Sequence, residues 1–78
     1  MTELHLEALA PEMEYGTVIR WLKAAGDPVS AGEVIVEIET EKVVQEVASP
    51  VSGVLTEIVG VEGDELKVGA LLAVIEEG

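Results

Sequence analysis

Apolar and polar residues alternate along short runs of this chain, with the period of two that places successive side chains on opposite faces of a β-strand. The run VIVEIET shows the pattern clearly, and its more polar face carries Ile35, Glu37 and Glu39. The apolar face, which we assign to the core, carries Val34, Val36 and Ile38.

β-branched residues dominate the apolar runs, with thirteen Val and five Ile, and no long stretch has the spacing of an amphipathic helix. Near the N-terminus the alternation assigns Leu4, Leu6 and Ala8 to the core. We therefore predict an all-β protein. Its eight short strands are expected at residues 3–8, 17–24, 28–30, 34–40, 43–48, 54–61, 65–67 and 71–76.

The chain contains an internal duplication, in which residues 16–39 align without a gap with residues 53–76. Such a repeat predicts two similar halves related by a pseudo-two-fold axis, which bury their apolar faces against each other in a flattened sandwich of two sheets. The shared residues are mostly turn residues: Gly16 and Gly53, Gly26 and Gly63, Asp27 and Asp64, Gly32 and Gly69, Ile38 and Ile75, Glu39 and Glu76.

A related lead-in precedes each copy, EALAPEMEYG before the first and EVASPVSG before the second. The first lead-in is two residues longer between its proline and its glycine. If the copies pair alike, the N-terminal strand pairs with the last strand of the chain. The matching lead-in residues are Glu7 with Glu46 and Pro11 with Pro50.

Little more than Glu41 and Lys42 separates the runs VIVEIET and VVQEVA, which predicts a tight β-hairpin. Glu-Lys lacks the residues that type I′ turns favour, so we expect a type I turn from Thr40 to Val43. Lys42 then lies at the hairpin tip. Its counterpart in the duplicated arrangement falls just past Gly78, so the tip and the chain termini are expected at opposite ends of the molecule.

The length of 78 residues fits one domain, and 49% hydrophobic residues indicate a soluble globular fold. With a formal net charge of -12 and four basic residues, the chain lacks the basic patch that nucleic acids require. No apolar run is long enough to span a membrane, and the N-terminus has no features of a targeting peptide. The absence of cysteine excludes disulfides and zinc-thiolate sites.

Four motifs, in order, carry a resemblance to a known family: PEMEYGTVIRWL, GDPVSAGEVIVEIETEKV, SPVSGVL and GDELKVGALLAVI. The chain resembles the lipoyl domains of 2-oxo acid dehydrogenase complexes, found in the dihydrolipoyl acyltransferase component, within the biotinyl/lipoyl carrier family. The resemblance covers essentially the whole chain. It implies a single lipoyl domain over residues 1–78, folded as a flattened eight-stranded barrel-sandwich hybrid.

The resemblance also implies a modification site, with lipoic acid attached through an amide to Lys42 as N6-lipoyllysine. Glu41 and Val43 would flank the lysine as recognition residues, and Glu39 and Thr40 would complete the hairpin. Glu41 occupies a position where aspartate is commoner in the family, so the side chain there is still acidic. No catalytic residue and no metal ligand is expected in such a carrier.

The partners that the resemblance implies are a lipoate ligase or lipoyl transferase, a thiamine-diphosphate-dependent 2-oxo acid dehydrogenase, an acyltransferase catalytic domain and dihydrolipoyl dehydrogenase. The location would be cytoplasmic in a bacterium or archaeon, and the mitochondrial matrix for a mature eukaryotic domain. Acylation would remove the charge of Lys42 and leave an acidic surface around the base of the arm. Its members are Glu37, Glu39, Glu41 and Glu46.

Two other functions remain open. A biotinyl carrier of the same fold usually has its lysine between two methionines, whereas the only methionines here are Met1 and Met13. An unmodified β module that binds a partner protein would leave Lys42 as an ordinary surface charge. Trp21 is expected to pack rather than bind a ligand. His5 is expected to face outward, because no second His or Cys accompanies it.

Overall fold

Two four-stranded antiparallel sheets form the protein. The computed structural model describes residues 1–7, 13–40 and 43–77. The strands are β1 (Thr2–His5), β2 (Tyr15–Trp21), β3 (Pro28–Val29), β4 (Val34–Thr40), β5 (Val43–Ala48), β6 (Gly53–Ile58), β7 (Glu65–Lys67) and β8 (Leu71–Glu77). Their order is β1-β8-β6-β3 in one sheet and β5-β4-β2-β7 in the other. The all-β class and the eight strands are confirmed.

The duplication is reproduced strand by strand. Strands β5, β4, β2 and β7 of one sheet correspond, in that order, to β1, β8, β6 and β3 of the other. The predicted pairing of the N-terminal strand β1 with the last strand β8 is therefore confirmed. Each half also gives its short strand to the opposite sheet, since β3 pairs with β6 and β7 with β2. The halves are interlocked through these exchanged strands.

One predicted orientation is wrong. Ile35 was assigned to the polar face, yet it is fully buried beside Val36. The register moves from the Val34 and Ala48 pair to the Val36 and Val47 pair, so Ile35 is an extra residue on β4. This irregularity is a β-bulge, which turns two successive side chains toward the core. Val34, assigned to the core, is only half-buried.

The second copy carries the same irregularity at the same place. The pairing of β1 with β8 shifts by one residue around Leu72, which corresponds to Ile35. Leu72 and the following Ala73 are both fully buried. The two copies have different residue types at these positions but the same bulge. The bulge is therefore a property of the repeated unit rather than of one particular side chain.

The predicted alignment of the two lead-ins is also wrong. Ser49 accepts a hydrogen bond from the Gly32 amide through its carbonyl, and Leu6 accepts the equivalent bond from Gly69. Ser49 is therefore the counterpart of Leu6, which makes Glu3, rather than Glu7, the counterpart of Glu46. The first copy thus has six additional residues before its glycine rather than two. Pro11 lies outside the described residues.

Strands β2 and β6 each end three residues earlier than predicted, because the chain turns sooner. After β2, the Asp27 amide donates to the Ala24 carbonyl, and the Asp27 carboxylate accepts from the Ala24 amide. Gly26, with φ of 97°, occupies the position that requires a positive φ. Asp64 makes the same two contacts with Val61 after β6. The predicted Gly-Asp turns are confirmed.

Apolar side chains from both sheets fill the space between them. Trp21 is partly buried against this core, and its indole nitrogen Nε1 donates to the Gly60 carbonyl at 2.7 Å. Its predicted packing role fits this position. The buried apolar residues are Leu4, Leu6, Val18, Val29, Ile35, Val36, Ile38, Leu55, Leu72, Ala73 and Ile75. Ala8, also predicted in the core, lies outside the described residues.

Candidate functional site

The predicted hairpin is formed by β4 and β5. The two strands pair along their length, from Val34 opposite Ala48 to Thr40 opposite Val43. In the sequence, only Glu41 and Lys42 connect that last pair. Both residues lie outside the described residues, and so does the predicted type I turn. The described strands therefore fix the position of the hairpin end, and the sequence supplies its two connecting residues.

The hairpin end lies away from the two ends of the described chain. At one end of β1, Thr2 is opposite Ile75, and its hydroxyl donates to the Glu77 carboxylate. Beyond the other end of β1, the side chains of Leu6 and Ile38 both lie against Gly16. A Cβ added to Gly16 would be 3.4 Å from Leu6 Cδ2 and 2.7 Å from Ile38 Cγ2, so these two side chains are close to each other. Ile38 precedes the end of β4 by two residues. The hairpin and the chain ends are thus at opposite ends of the molecule.

The described residues at the base of the hairpin differ in exposure. Thr40 is buried, with 7% of its surface accessible, whereas Glu39 is exposed. Val43 and Val44 are about half exposed, at 52% and 50%. A buried threonine next to exposed neighbours fixes the end of β4 to the core while its adjacent carboxylate faces solvent. The hairpin therefore extends from a strand end that is packed against the core.

The acidic surface predicted around the hairpin is smaller than the sequence indicates. Glu37 accepts a hydrogen bond from Arg20 Nε at 2.9 Å, so part of its charge is neutralised. Glu46 lies opposite Glu37 on β5 and is exposed. Glu39 is exposed as well, and Glu41 lies outside the described residues. Of the four predicted members of this surface, the described ones that face solvent without a described cationic partner are thus Glu39 and Glu46.

Sequence reasoning missed Tyr15. Thr17 is opposite Glu39, so Tyr15 lies two residues farther along β2 toward the hairpin end. It is 49% exposed and opposite Lys67 on β7. An exposed aromatic side chain on the same face of the sheet as Glu39 adds apolar area to the acidic surface. The indication in the sequence was EMEYG, a tyrosine among acids, but its position became evident only from the register of β2 and β4.

His5 faces outward, as predicted, and is held by two acceptors. Its Nδ1 lies 2.9 Å from the Gly69 carbonyl oxygen, and its Nε2 lies 3.1 Å from a Glu3 carboxylate oxygen. Only the doubly protonated ring can donate to both. The hydrogen bond to the Gly69 carbonyl, followed by that to Glu3, raises the pKa of His5 above its ordinary value of 6.5. The ring is an exposed structural contact rather than a base.

We expect an NMR titration of His5, the single histidine, to give a pKa above 6.5. Glu3→Gln should lower that pKa, and Glu57→Gln, on another surface, should leave it unchanged. Because the pKa is raised in the folded state, protonated His5 stabilises the fold below the unfolded-state pKa. That contribution disappears as pH rises through the folded-state pKa. A measured pKa at or below 6.5 would contradict the two contacts.

Among the described residues, no group of three or more His, Cys, Asp or Glu side chains is arranged to hold a metal ion. Within the same residues there is no helix long and apolar enough to cross a membrane.

Comparison with protein families identifies the chain. Residues 2–75 match the biotin/lipoyl family model, whose description is "Biotin-requiring enzyme". The chain belongs to the biotinyl/lipoyl carrier family. The match includes both strands of the hairpin and the two residues between them. The predicted family membership is therefore confirmed.

Relatives of this carrier-family chain include acyltransferase components of two complexes. It is 47% identical over 78 residues to the dihydrolipoyllysine-residue succinyltransferase component of the 2-oxoglutarate dehydrogenase complex of Staphylococcus saprophyticus, and covers 18% of that protein. It is 40% identical over 72 residues, or 92% of this chain, to the acetyltransferase component of the pyruvate dehydrogenase complex of Corynebacterium glutamicum, and covers 11% of it. The chain thus spans less than a fifth of these relatives.

Solved structures agree with the fold. The solution structure of the lipoyl domain of the 2-oxoglutarate dehydrogenase complex from Azotobacter vinelandii matches with a TM-score of 0.83 and 40% identity, covering 100% of this chain and 99% of that one. The urea carboxylase of Kluyveromyces lactis matches with a TM-score of 0.77 and 29% identity over 97% of this chain and 6% of that one. The carrier-family chain is a lipoyl-type, non-catalytic carrier domain, and the flattened barrel-sandwich is confirmed.

Proposed function

We propose that the chain is a swinging-arm carrier that bears lipoate on Lys42 as N6-lipoyllysine. It would shuttle acyl groups and reducing equivalents between the active sites of a 2-oxo acid dehydrogenase complex. The observation that carries the proposal is the β4–β5 hairpin, which remains paired up to Thr40 and Val43 and leaves Lys42 in a two-residue connection. The described end of this hairpin lies at the opposite end of the molecule from Thr2 and Glu77.

The residues present suit the attached group. Amide formation requires an amine that can be deprotonated and reached, which lysine provides and arginine does not. Lipoate supplies a redox-active disulfide, which this cysteine-free chain does not contain. Buried Thr40 holds the end of β4, while Glu39 and Val43 border the attachment site on the exposed side. We propose that these residues, together with Glu41, are what an attaching enzyme recognises.

The proposed partners follow from the relatives' names and from the chemistry of the arm. A lipoate ligase or lipoyl transferase would modify Lys42. A thiamine-diphosphate-dependent 2-oxo acid dehydrogenase, an acyltransferase catalytic domain and dihydrolipoyl dehydrogenase would then use the arm in turn. We propose that residues 1–78 act as one carrier domain, located in the cytoplasm of a bacterium or archaeon or in the mitochondrial matrix.

We expect the exposed acids near the hairpin to accelerate encounter with the dehydrogenase. Replacing Glu39 and Glu46 together by glutamine should slow reductive acylation severalfold at low ionic strength, because steering by charge is strongest there. The difference from the unmutated chain should vanish near 1 M salt, where the Debye length is about 3 Å. The matched control replaces Glu57 and Glu76, in the other sheet. Equal slowing by both pairs would exclude local steering.

The carrier proposal is tested by offering the chain to two attaching enzymes. Co-expression with a lipoate ligase should raise the intact mass by one lipoyl group, and co-expression with a biotin ligase should leave the mass unchanged. A biotinyl increment instead would assign the chain to the biotinyl carriers. No increment from either enzyme would leave an unmodified β module that binds a partner.

A further inference from the structure

A groove of about 360 Å³ lies between the edges of the two sheets, between β1 and the end of β5. Leu4, Leu6 and Leu72 give it an apolar floor, and Val47 and Ala48 line its other wall. The volume falls within the range of pockets that bind ligands, about 300 to 1,000 Å³. These residues are at the end of β5 away from Val43, so the groove is separate from the carrier hairpin.

Both walls of the groove are edge strands. In the described sheets, β1 and β5 each have a neighbour on one side only. An edge strand presents backbone N–H and C=O groups that can pair with another extended chain. The walls are also equivalent in the duplication, with Leu4 the counterpart of Val47. The groove therefore offers two backbone edges above an apolar floor.

The charges around the groove have one sign. Glu3 and Glu7, which line the β1 wall, are both exposed. Among the described residues that line the groove, none is Lys or Arg. His5 lines it too, and its ring contacts Glu3. Above the pKa of His5, the rim is acidic.

The other basic side chains with described partners are engaged elsewhere. Lys23 Nζ lies 3.1 Å from a Glu33 carboxylate oxygen, and Arg20 contacts Glu37. Neither Lys23 nor Arg20 lines the groove. Among the described ion pairs, no Lys or Arg is bound to Glu3 or Glu7, and Glu3 contacts only the His5 ring.

We propose that this groove binds an extended segment of a partner protein in which basic and small apolar side chains alternate. The backbone of the segment pairs with an edge strand, and its period of two directs alternate side chains in opposite directions. The apolar side chains contact Val47 and Ala48, which remain accessible on the β5 wall, while the basic side chains approach Glu3 and Glu7. Binding of this kind does not involve Lys42, so it is measured on the unmodified chain.

The test is an NMR titration of the ¹⁵N-labelled unmodified chain at pH 8 with an acetylated, amidated Lys-Val-Lys-Val-Lys-Val peptide. The Azotobacter lipoyl domain of equal extent was solved as a separate domain in solution, so the chain is expected to fold alone. The expected result is a set of shift changes concentrated in β1 and the second half of β5. A Glu-Val-Glu-Val-Glu-Val peptide should produce none.

Charge reversal distinguishes the groove from the overall negative field. Glu3→Lys with Glu7→Lys should weaken binding about tenfold or more, equivalent to about 1.4 kcal/mol. The control pair, Glu57→Lys with Glu65→Lys, changes the net charge equally away from the groove and should weaken binding less than about threefold. Equal weakening by both pairs would overturn the proposal, because it would show non-specific attraction.

A second variant fills the groove. Ala48 is exposed, so Ala48→Trp adds bulk to the wall without entering the core, and it should abolish the shift changes in β1. Retained binding by the folded variant would contradict the proposal.

Sedimentation of the unmutated chain should show a monomer. A dimer that Ala48→Trp dissociates would assign the groove to a second copy and overturn the proposal.

Discussion

Lys42→Arg is expected to abolish lipoylation and, with it, all reductive acylation by a 2-oxo acid dehydrogenase. Attachment requires a deprotonated amine, and a guanidinium, whose pKa is far above the working pH, does not supply one. The charge of the side chain is kept, so a loss of activity reports the missing amine rather than altered charge. The measurement is incorporation of a labelled acyl group after treatment with a lipoate ligase, and the signal should fall to that of a control without ligase.

Two matched variants accompany this change. Lys23→Arg and Lys67→Arg keep the same charge and remove the other two lysines one at a time. Both should be lipoylated and acylated like the unmutated chain. Residual acylation of the Lys42→Arg variant would assign the arm to another residue, and the carrier hairpin would then be misplaced.

Gly53→Ala is expected to lower the free energy of unfolding by about 3 kcal/mol. A Cβ at Gly53 would lie 2.2 Å from the Glu76 carbonyl oxygen and 2.9 Å from its carbon. These are backbone atoms of β8, which is held on both sides by β1 and β6, so the strand cannot move away. The measurement is urea unfolding followed by circular dichroism or tryptophan fluorescence.

Gly26→Ala is the control for Gly53→Ala. Gly26 has a positive φ of 97°, but no atom lies within 4 Å of a Cβ at that position. Gly26→Ala should therefore lower the free energy of unfolding only by the conformational penalty of a positive φ, about 1 to 2 kcal/mol. If Gly53→Ala destabilises the chain no more than Gly26→Ala does, the close approach of β6 to β8 is wrong.

Much of the architecture was predictable because the repeat constrains it. Once residues 16–39 are aligned with 53–76, the pairing of β4 with β5 requires an equivalent pairing of β8 with β1, and the structure contains it. The hairpin was predictable as well, since only Glu41 and Lys42 separate two alternating runs. The turns at Asp27 and Asp64 were predictable from their Gly-Asp pairs, although the ends of β2 and β6 were not.

The remaining details depend on contacts that no short stretch of sequence specifies. Ile35 follows a strict alternation in the sequence, but the bulge in β4 depends on how β4 pairs with β5. The equivalence of Leu6 and Ser49 is set by backbone hydrogen bonds to Gly69 and Gly32, and these are independent of side-chain similarity. The position of Tyr15 depended on the register of β2.

The most direct test of the carrier account is peptide mapping by tandem mass spectrometry of the chain after treatment with a lipoate ligase. The account predicts one lipoyl group, on the peptide that contains Lys42, with Lys23 and Lys67 unmodified. A lipoyl group on Lys23 or Lys67, or a chain that remains unmodified, would contradict it.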